Sequence, residues 1–244
     1  MKNEKELATI SALLLTDGGV SKISKNQWEI FVTSKSNEIL KLFEKNIVKI
    51  FHKKTTRIIN KNGVIKSRVC DKKIGEILLK LSPSFRTRSC SKFPICPLMK
   101  GKQNKPCKKC ESQNGFPPVI IPDFILLGKD KEIRNLVIRV AMSTDGCIEF
   151  HENKLKNKQW FQRRLSFRCH NPNLLDQWSQ LFRGLGFKIK KTEKEIRITG
   201  KDQLIKFRNE IGFLKNVEVQ RSKNWKGFTK NNVLDRAIES FNMR

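Results

Sequence analysis

The chain carries one short pattern twice: an apolar run that ends in Thr-Asp-Gly. "ISALLLTDGG" at residues 10–19 and "NLVIRVAMSTDGC" at residues 135–147 place Asp17 and Asp145 128 residues apart in a chain of 244. A helix C-terminus carries partial negative charge, so a carboxylate in its last turn is electrostatically misplaced. A single Asp-Gly that closes a helix is ordinary turn chemistry. Two copies, each opening an equivalent run of elements, constrain the fold far more.

After Asp17, Trp28, Ile30 and Val32 alternate with polar neighbours as in a half-buried strand. "SNEILKLFEKNIVKIF" follows, with Ser36 as N-cap and Leu40, Phe43, Ile47 and Ile50 at helical spacing. "TTRIINKNGVIKSRV" reads as a hairpin with an Asn-Gly turn, and "DKKIGEILLKL" as a helix with Ile74, Ile77, Leu78 and Leu81 on its apolar side. After Asp145 the order returns. "RRLSFRCH" is a strand with Leu165, Phe167 and Cys169 on one face and Arg164, Ser166, Arg168 and His170 on the other. "NPNLLDQWSQLFRGLG" has Asn171 as N-cap, Pro172 at the first helical position and Gly186 past the end. "FKIKKTEKEIRIT" is a hairpin with Lys188 and Lys190 facing out, and "DQLIKFRNEIGF" is the next helix. Both halves read αββαββα. The expected architecture is α+β, a pseudo-symmetric duplicated module with two antiparallel sheets. The N-terminal half spans 1–85, an insertion 86–130, and the C-terminal half 131–244.

Charge says what those sheets meet. Lys and Arg number 51 against 23 Asp and Glu, a net charge of +28. Such an excess points to a polyanion partner, since each phosphate neutralised releases counterions. With 38% hydrophobic residues and 16 Phe, the chain is folded rather than a basic tail. If one sheet face packs on helices, the other presents a basic ribbon of two-residue period that can lie in a DNA major groove. The residues expected there are Lys22, Arg57, Lys66 and Arg68 in the first half, and Arg164, Arg168, Lys188, Lys190 and Arg197 in the second.

Ala12, Ser11 and Thr16 in one repeat and Ala141, Ser143 and Thr144 in the other are small enough for the two helices to pack closely. Their C-termini then bring Asp17 and Asp145 together. Two such carboxylates repel unless a proton or cation intervenes, and Mg²⁺ favours oxygen ligands from one or two carboxylates plus substrate phosphates. A metal there polarises a phosphate and activates water.

At these residues the chain resembles the LAGLIDADG homing endonucleases in their monomeric, two-motif, archaeal intron-encoded form. "ISALLLTDG" and "IRVAMSTDG" align over all nine motif positions, and "FPPVIIPDFIL…NLVIRVAMSTDG" and "EIGFLKN…WKGFTKNNVL" look like the usual surroundings. The third motif position, usually Gly at the helix crossing, is Ala12 in one copy and Val140 in the other. The resemblance implies a DNA-binding saddle and Mg²⁺-dependent double-strand cleavage at a long asymmetric target. It also implies Asp17 and Asp145 as catalytic acids and metal ligands. Family members use a basic residue near the scissile phosphate, and Lys230 fits that position in the second half; the first half has no clean counterpart, with Arg86 and Arg88 the nearest candidates.

The insertion holds Cys90, Cys96, Cys107 and Cys110 in a C-x5-C-x10-C-x2-C pattern. Four thiolates suit a structural Zn²⁺, with a disulfide or free thiols as alternatives. Cys70, Cys147 and Cys169 read as buried small hydrophobes, and His52, His151 and His170 as surface or DNA-facing residues. Seven cysteines, four of them in one cluster, suit a reducing, cytoplasmic setting. No run is long enough for a membrane span, and Glu4 and Glu6 spoil a signal peptide. No phosphate-binding Gly-rich loop, G-x-S-x-G or Cys-His dyad is evident. Three functions share the architecture: a site-specific endonuclease on double-stranded DNA, a maturase that binds intron RNA, and a non-catalytic DNA-binding regulator. Retention of both aspartates favours the first. A self-splicing element is disfavoured by the initial Met and the lack of a terminal His-Asn.

Overall fold

A computed structural model describes residues 3–24, 26–60, 62–85, 119–155, 158–220, 222 and 224–242. The first half runs α1 (Glu4–Thr16), β1 (Gly18–Ser24), β2 (Gln27–Ser34), α2 (Asn37–Phe51), β3 (Thr56–Ile59), β4 (Ile65–Cys70) and α3 (Lys72–Leu81). A single helical turn, α4 (Asp123–Leu126), leads into the second half. There follow α5 (Lys131–Thr144), β5 (Gly146–Leu155), β6 (Lys158–Arg168), α6 (Pro172–Gly184), β7 (Ile189–Lys191), β8 (Glu195–Thr199), α7 (Lys201–Glu210) and α8 (Lys230–Glu239). The sheets are antiparallel with the same order, β1-β2-β4-β3 and β5-β6-β8-β7. The expected α+β duplication is the observed fold.

Two-residue alternation decides which sheet face is buried. Ile30 and Val32 of β2, and Leu165 and Phe167 of β6, are buried with the helices. Each helix supplies its apolar stripe to the same layer: Leu40, Phe43 and Ile47 from α2, Ile74 and Leu78 from α3, Leu174, Leu175 and Trp178 from α6. At about 1.5–3 kcal/mol for each large side chain fully withdrawn from water, this layer dominates the folding energy. Ile77 departs from expectation and stays exposed on α3. Asn171 caps α6 as expected, its Oδ1 accepting from Leu174 N–H at 3.1 Å. Ser36 makes no side-chain cap; its own N–H donates to Ser34 Oγ instead.

The halves join through α1 and α5, which pack against each other. Residues 8–15 of α1 are all buried, as are Val137, Ile138 and Val140 through Ser143 of α5. Ala12 and Val140 are both fully enclosed. Lys5 and Glu132 close the opposite end of the pair with an ion pair at 2.5 Å. Residues 119–126 pack on the second half: Val119, Ile121 and Ile125 are buried, and Ile121 N–H donates to Gln177 of α6 at 2.6 Å. The cysteines expected to hold zinc (Cys90, Cys96, Cys107, Cys110) lie outside the described residues, as do Arg86 and Arg88. Among the described residues no helix is long and apolar enough to cross a membrane.

Candidate active site and nucleic-acid interface

Asp17 and Asp145 each cap the C-terminus of a central helix, Asp17 N–H donating to Leu13 O and Asp145 N–H to Ala141 O, both at 3.0 Å. The glycine after each is sterically required. A Cβ on Gly18 would lie 2.5 Å from Phe31 O, and one on Gly146 would lie 2.7 Å from Met142 Cα and O. Only glycine lets the chain leave the helix and enter the strand at once. Thr16 and Thr144 bond back into the preceding turn, at 2.9 Å to Ala12 O and 3.1 Å to Val140 O.

The misplaced carboxylates have an electrostatic signature. Neither helix has a basic residue in its last turn. Asp145 is exposed as a residue, yet the protein surrounding its carboxyl desolvates it. That desolvation, reinforced by the charge of Asp17, pushes it up to about 7, against an opposing pull from Lys230. The missing cation at the end of α5 comes from α8. Lys230 Nζ donates to Ser143 O at 2.7 Å, Gly146 O at 2.6 Å and Met142 O at 3.2 Å, straddling Asp145. Burial lowers this ammonium to about 8, although Cys147, Asp17 and Asp145 pull the other way. Lys230 is 8% exposed, and its three N–H bonds point at protein carbonyls. Its ammonium is thus held at the helix end beside Asp145, the position where a basic residue is expected. In the first half the Asp17 carbonyl is held instead by Thr33, through N–H at 2.9 Å and Oγ1 at 3.0 Å.

Two carboxylates close enough to feel each other's charge suit a hard divalent cation whose remaining ligands are water and phosphate oxygens. Among the described residues no group of three or more His, Cys, Asp or Glu side chains could hold a metal unaided. The oxygen donors therefore fit a cation shared with a substrate better than a closed structural site.

The sheet faces away from the helices carry most of the expected basic residues. Lys66 and Arg68 share a face with Phe31 and Thr33, while Arg164, Arg168, Lys190 and Arg197 share one with Ser166. Lys188 is exposed just before β7. Two residues lie on the other side. Arg57 pairs across from Ser67 and Val32, and its guanidinium clamps Glu44 of α2 at 2.7 and 2.8 Å and reaches Asn37 at 2.7 Å. Lys22 opposes Trp28, which packs on Gly75 of α3, and its ammonium lies 5.9 Å from the Trp28 ring. Cys147 and Cys70 are exposed, not buried, because each falls on the outward parity of its strand. Cys169 is buried, its thiol pushed up to about 12 by desolvation. His52, His151 and His170 are exposed, with His170 past the end of β6.

No protein-family model matches the sequence, and no curated protein matches it. Solved structures do match in shape. A crystal structure of I-DmoI in complex with DNA and Mn gives a TM-score of 0.51 at 17% identity, covering 85% of this chain and 96% of that one. The I-DmoI complex with DNA and Ca gives 0.53 at 17% identity, over 86% and 91%. The LAGLIDADG meganuclease I-AabMI bound to uncleaved DNA gives 0.55 at 11% identity, over 96% and 91%. The fold is the LAGLIDADG fold.

Within that fold, three outward-facing carboxylates were not anticipated. Glu29 accepts from Lys66 Nζ at 2.7 Å and Arg68 Nη1 at 3.0 Å. Glu149 accepts from Arg164 and Gln162, both at 2.7 Å, and from Ser166 at 2.8 Å. Glu195 accepts from Arg197 Nε at 2.8 Å and faces Arg168 at 3.8 Å. Burial alone would raise the Glu29 carboxyl; its two cationic partners outweigh that and hold it below the usual range. "EIR" at 195–197 carries the signal in sequence, since residues two apart in a strand share a face.

Proposed function

We propose that this chain is a monomeric, divalent-metal-dependent endonuclease that cuts double-stranded DNA at a long asymmetric site, with halves 1–85 and 131–244 joined through 86–130. The observation that carries this reading is the pairing of Asp17 and Asp145 at the ends of two packed helices, each helix opening directly into a strand of a basic sheet. The fold shared with DNA-bound LAGLIDADG nucleases supports it. Asp17 and Asp145 are the residues that would hold the ion, Mg²⁺ in this reading. When bound, it supplies Lewis-acid stabilisation of the phosphate and a water of lowered pKa.

The chain's own residues do the rest. Lys230 acts as a positioning residue: it fixes the carbonyls on both sides of Asp145 and supplies positive charge where the helix end repels a carboxylate. Arg164, Arg168, Lys188, Lys190 and Arg197, with Lys66 and Arg68, hold the duplex and read it. Asp17→Asn and Asp145→Asn test the reading. Wild-type protein incubated with Mg²⁺ and a randomised duplex library should yield ends at one preferred sequence. Either variant should yield none while keeping affinity within about tenfold, because phosphate contacts dominate binding. Cutting by both variants at the wild-type rate would end the proposal.

A further inference from the structure

The two sheets can be overlaid through their ladders, because each central helix delivers its glycine to the same place. Gly18 pairs with Val32 and Gly146 with Phe167. Counting from there, Phe31 and Ser166 are equivalent, Thr33 and Arg168, Glu29 and Arg164, Ser21 and Glu149. At the centre of the sheet helix-facing positions keep their character, with Val20 against Ile148, Ile30 against Leu165 and Val69 against Ile198, whereas Lys22 against Phe150 and Ser67 against Ile196 do not. Outward-facing positions change their chemistry and often their charge. Among the paired outward positions a single pair keeps the same residue: Arg68, opposite Phe31, and Arg197, opposite Ser166.

Their ladder position and their pairing with a carboxylate agree as well. Arg68 lies in the ladder row of Gly19 and Arg197 in that of Cys147, each the second residue after its aspartate. Each side chain is about one-third exposed, 35% and 32%, and each is held by an almost buried carboxylate. The carboxylates come from different places. Glu29 lies on the neighbouring strand and Glu195 two residues back on the same strand, so the likeness is not a relic of one copied ion pair. A guanidinium has five N–H donors, and each of these commits only part of them to its glutamate.

We infer that Arg68 and Arg197 are matched base-reading residues, each fixed by its glutamate to accept guanine, so that an otherwise asymmetric target carries one symmetric pair of G·C base pairs flanking the cut. This rests on the endonuclease reading above. Arginine reaches guanine O6 and N7 with two parallel hydrogen bonds in the major groove, a geometry lysine cannot copy. A glutamate behind the guanidinium lowers the entropy cost of that posture. It also cancels much of the charge, so these two arginines add little to phosphate attraction compared with Lys188 and Lys190, for which no ion pair is seen among the described residues.

The test is selection of bound duplexes from a randomised library by the full-length protein in Ca²⁺, repeated with Arg68→Lys and Arg197→Lys. The wild-type consensus should contain two guanines, on opposite strands and equidistant from its centre. Each variant should lose about tenfold preference at one of them only, in its own half-site. The slope of log affinity against log salt should stay unchanged, whereas Lys190→Ala should lower it by about one. A consensus without symmetric guanines, or one unmoved by both variants, overturns the inference while leaving the endonuclease reading intact. Failure to enrich any duplex overturns both. Circular dichroism of each variant establishes that it is folded; Glu195→Gln, which frees Arg197 without removing it, should weaken the same guanine preference and serves if a lysine variant does not fold.

Discussion

Lys230 Nζ lies 2.7 Å from the carbonyl oxygen of Ser143, and that bond ties the last helix to the end of the second central one. With Met142 and Gly146 also bound, Lys230→Met leaves three carbonyls without their charged partner. The loss should be about 2–3 kcal/mol, since hydrogen bonds to charged groups are the costly ones to break. Urea denaturation should register it as a lower midpoint at unchanged slope. An unaltered midpoint would remove Lys230 from the architecture of the site.

The Asp145 carboxyl makes metal-free stability depend on pH in a defined direction. Its pKa is about 7 in the folded protein against 3.8 ordinarily, so between about pH 4 and 7 the folded state keeps a proton that the unfolded chain has released. Stability contributed by that proton is complete below about pH 4 and is lost as pH rises through about 7. Melting in EDTA across this range should therefore fall more steeply for wild type than for Asp145→Asn. Parallel curves would contradict the assigned environment.

The same proton competes with a cation. Mg²⁺ should bind more weakly, and cleavage slow, as pH drops below about 7, with proton release on binding measurable by calorimetry in two buffers. A release of zero at pH 6 would count against Asp145 as a ligand.

Gly18→Ala and Gly146→Ala place a methyl group against backbone, at 2.5 Å from Phe31 O and 2.7 Å from Met142 O. Neither neighbour is a side-chain tip that can swing away. Each variant should lose about 1–3 kcal/mol and most of its cleavage, because the displaced residue adjoins an aspartate. Gly63→Ala, at φ 70 in an open hairpin turn, should be milder and leave cleavage intact. Thermal melting and a nicking assay separate the three.

Arg57 and Lys190 should part company in solution. Arg57→Ala breaks the clamp on Glu44 and should lower stability by about 1 kcal/mol with little change in DNA affinity. Lys190→Ala should do the reverse, weakening binding to any duplex and flattening its salt dependence. Equal effects on affinity would restore Arg57 to the interface.

The central helices and the strand faces were legible because they rest on periodicity, and periodicity is local. Ile30, Val32, Leu165 and Phe167 turned inward as their alternation requires. Arg57 was not legible in the same way. All four residues of β3 are exposed, so no buried alternate fixes the parity, and its side is set by Glu44 on a different element. Cys147 failed differently: Ile148 beside it is buried, and that alone places the thiol outward. The triple contact of Lys230 joins residues more than eighty positions apart, which no spacing rule reaches. The outward glutamates were hidden by the net charge of +28, which invites counting cations and overlooking the acids that aim them.

The packing of α1 on α5 also bears on how such a chain can change through descent. Ala12 and Val140 are buried in the two helices that end in the paired aspartates, so an alteration there is felt by both halves at once. Arg164, Thr199 or Ser21 can vary while the opposite half goes on as before. On the endonuclease reading, selection can thus rewrite one flank of the target at a time, with the axle between the halves inherited unchanged.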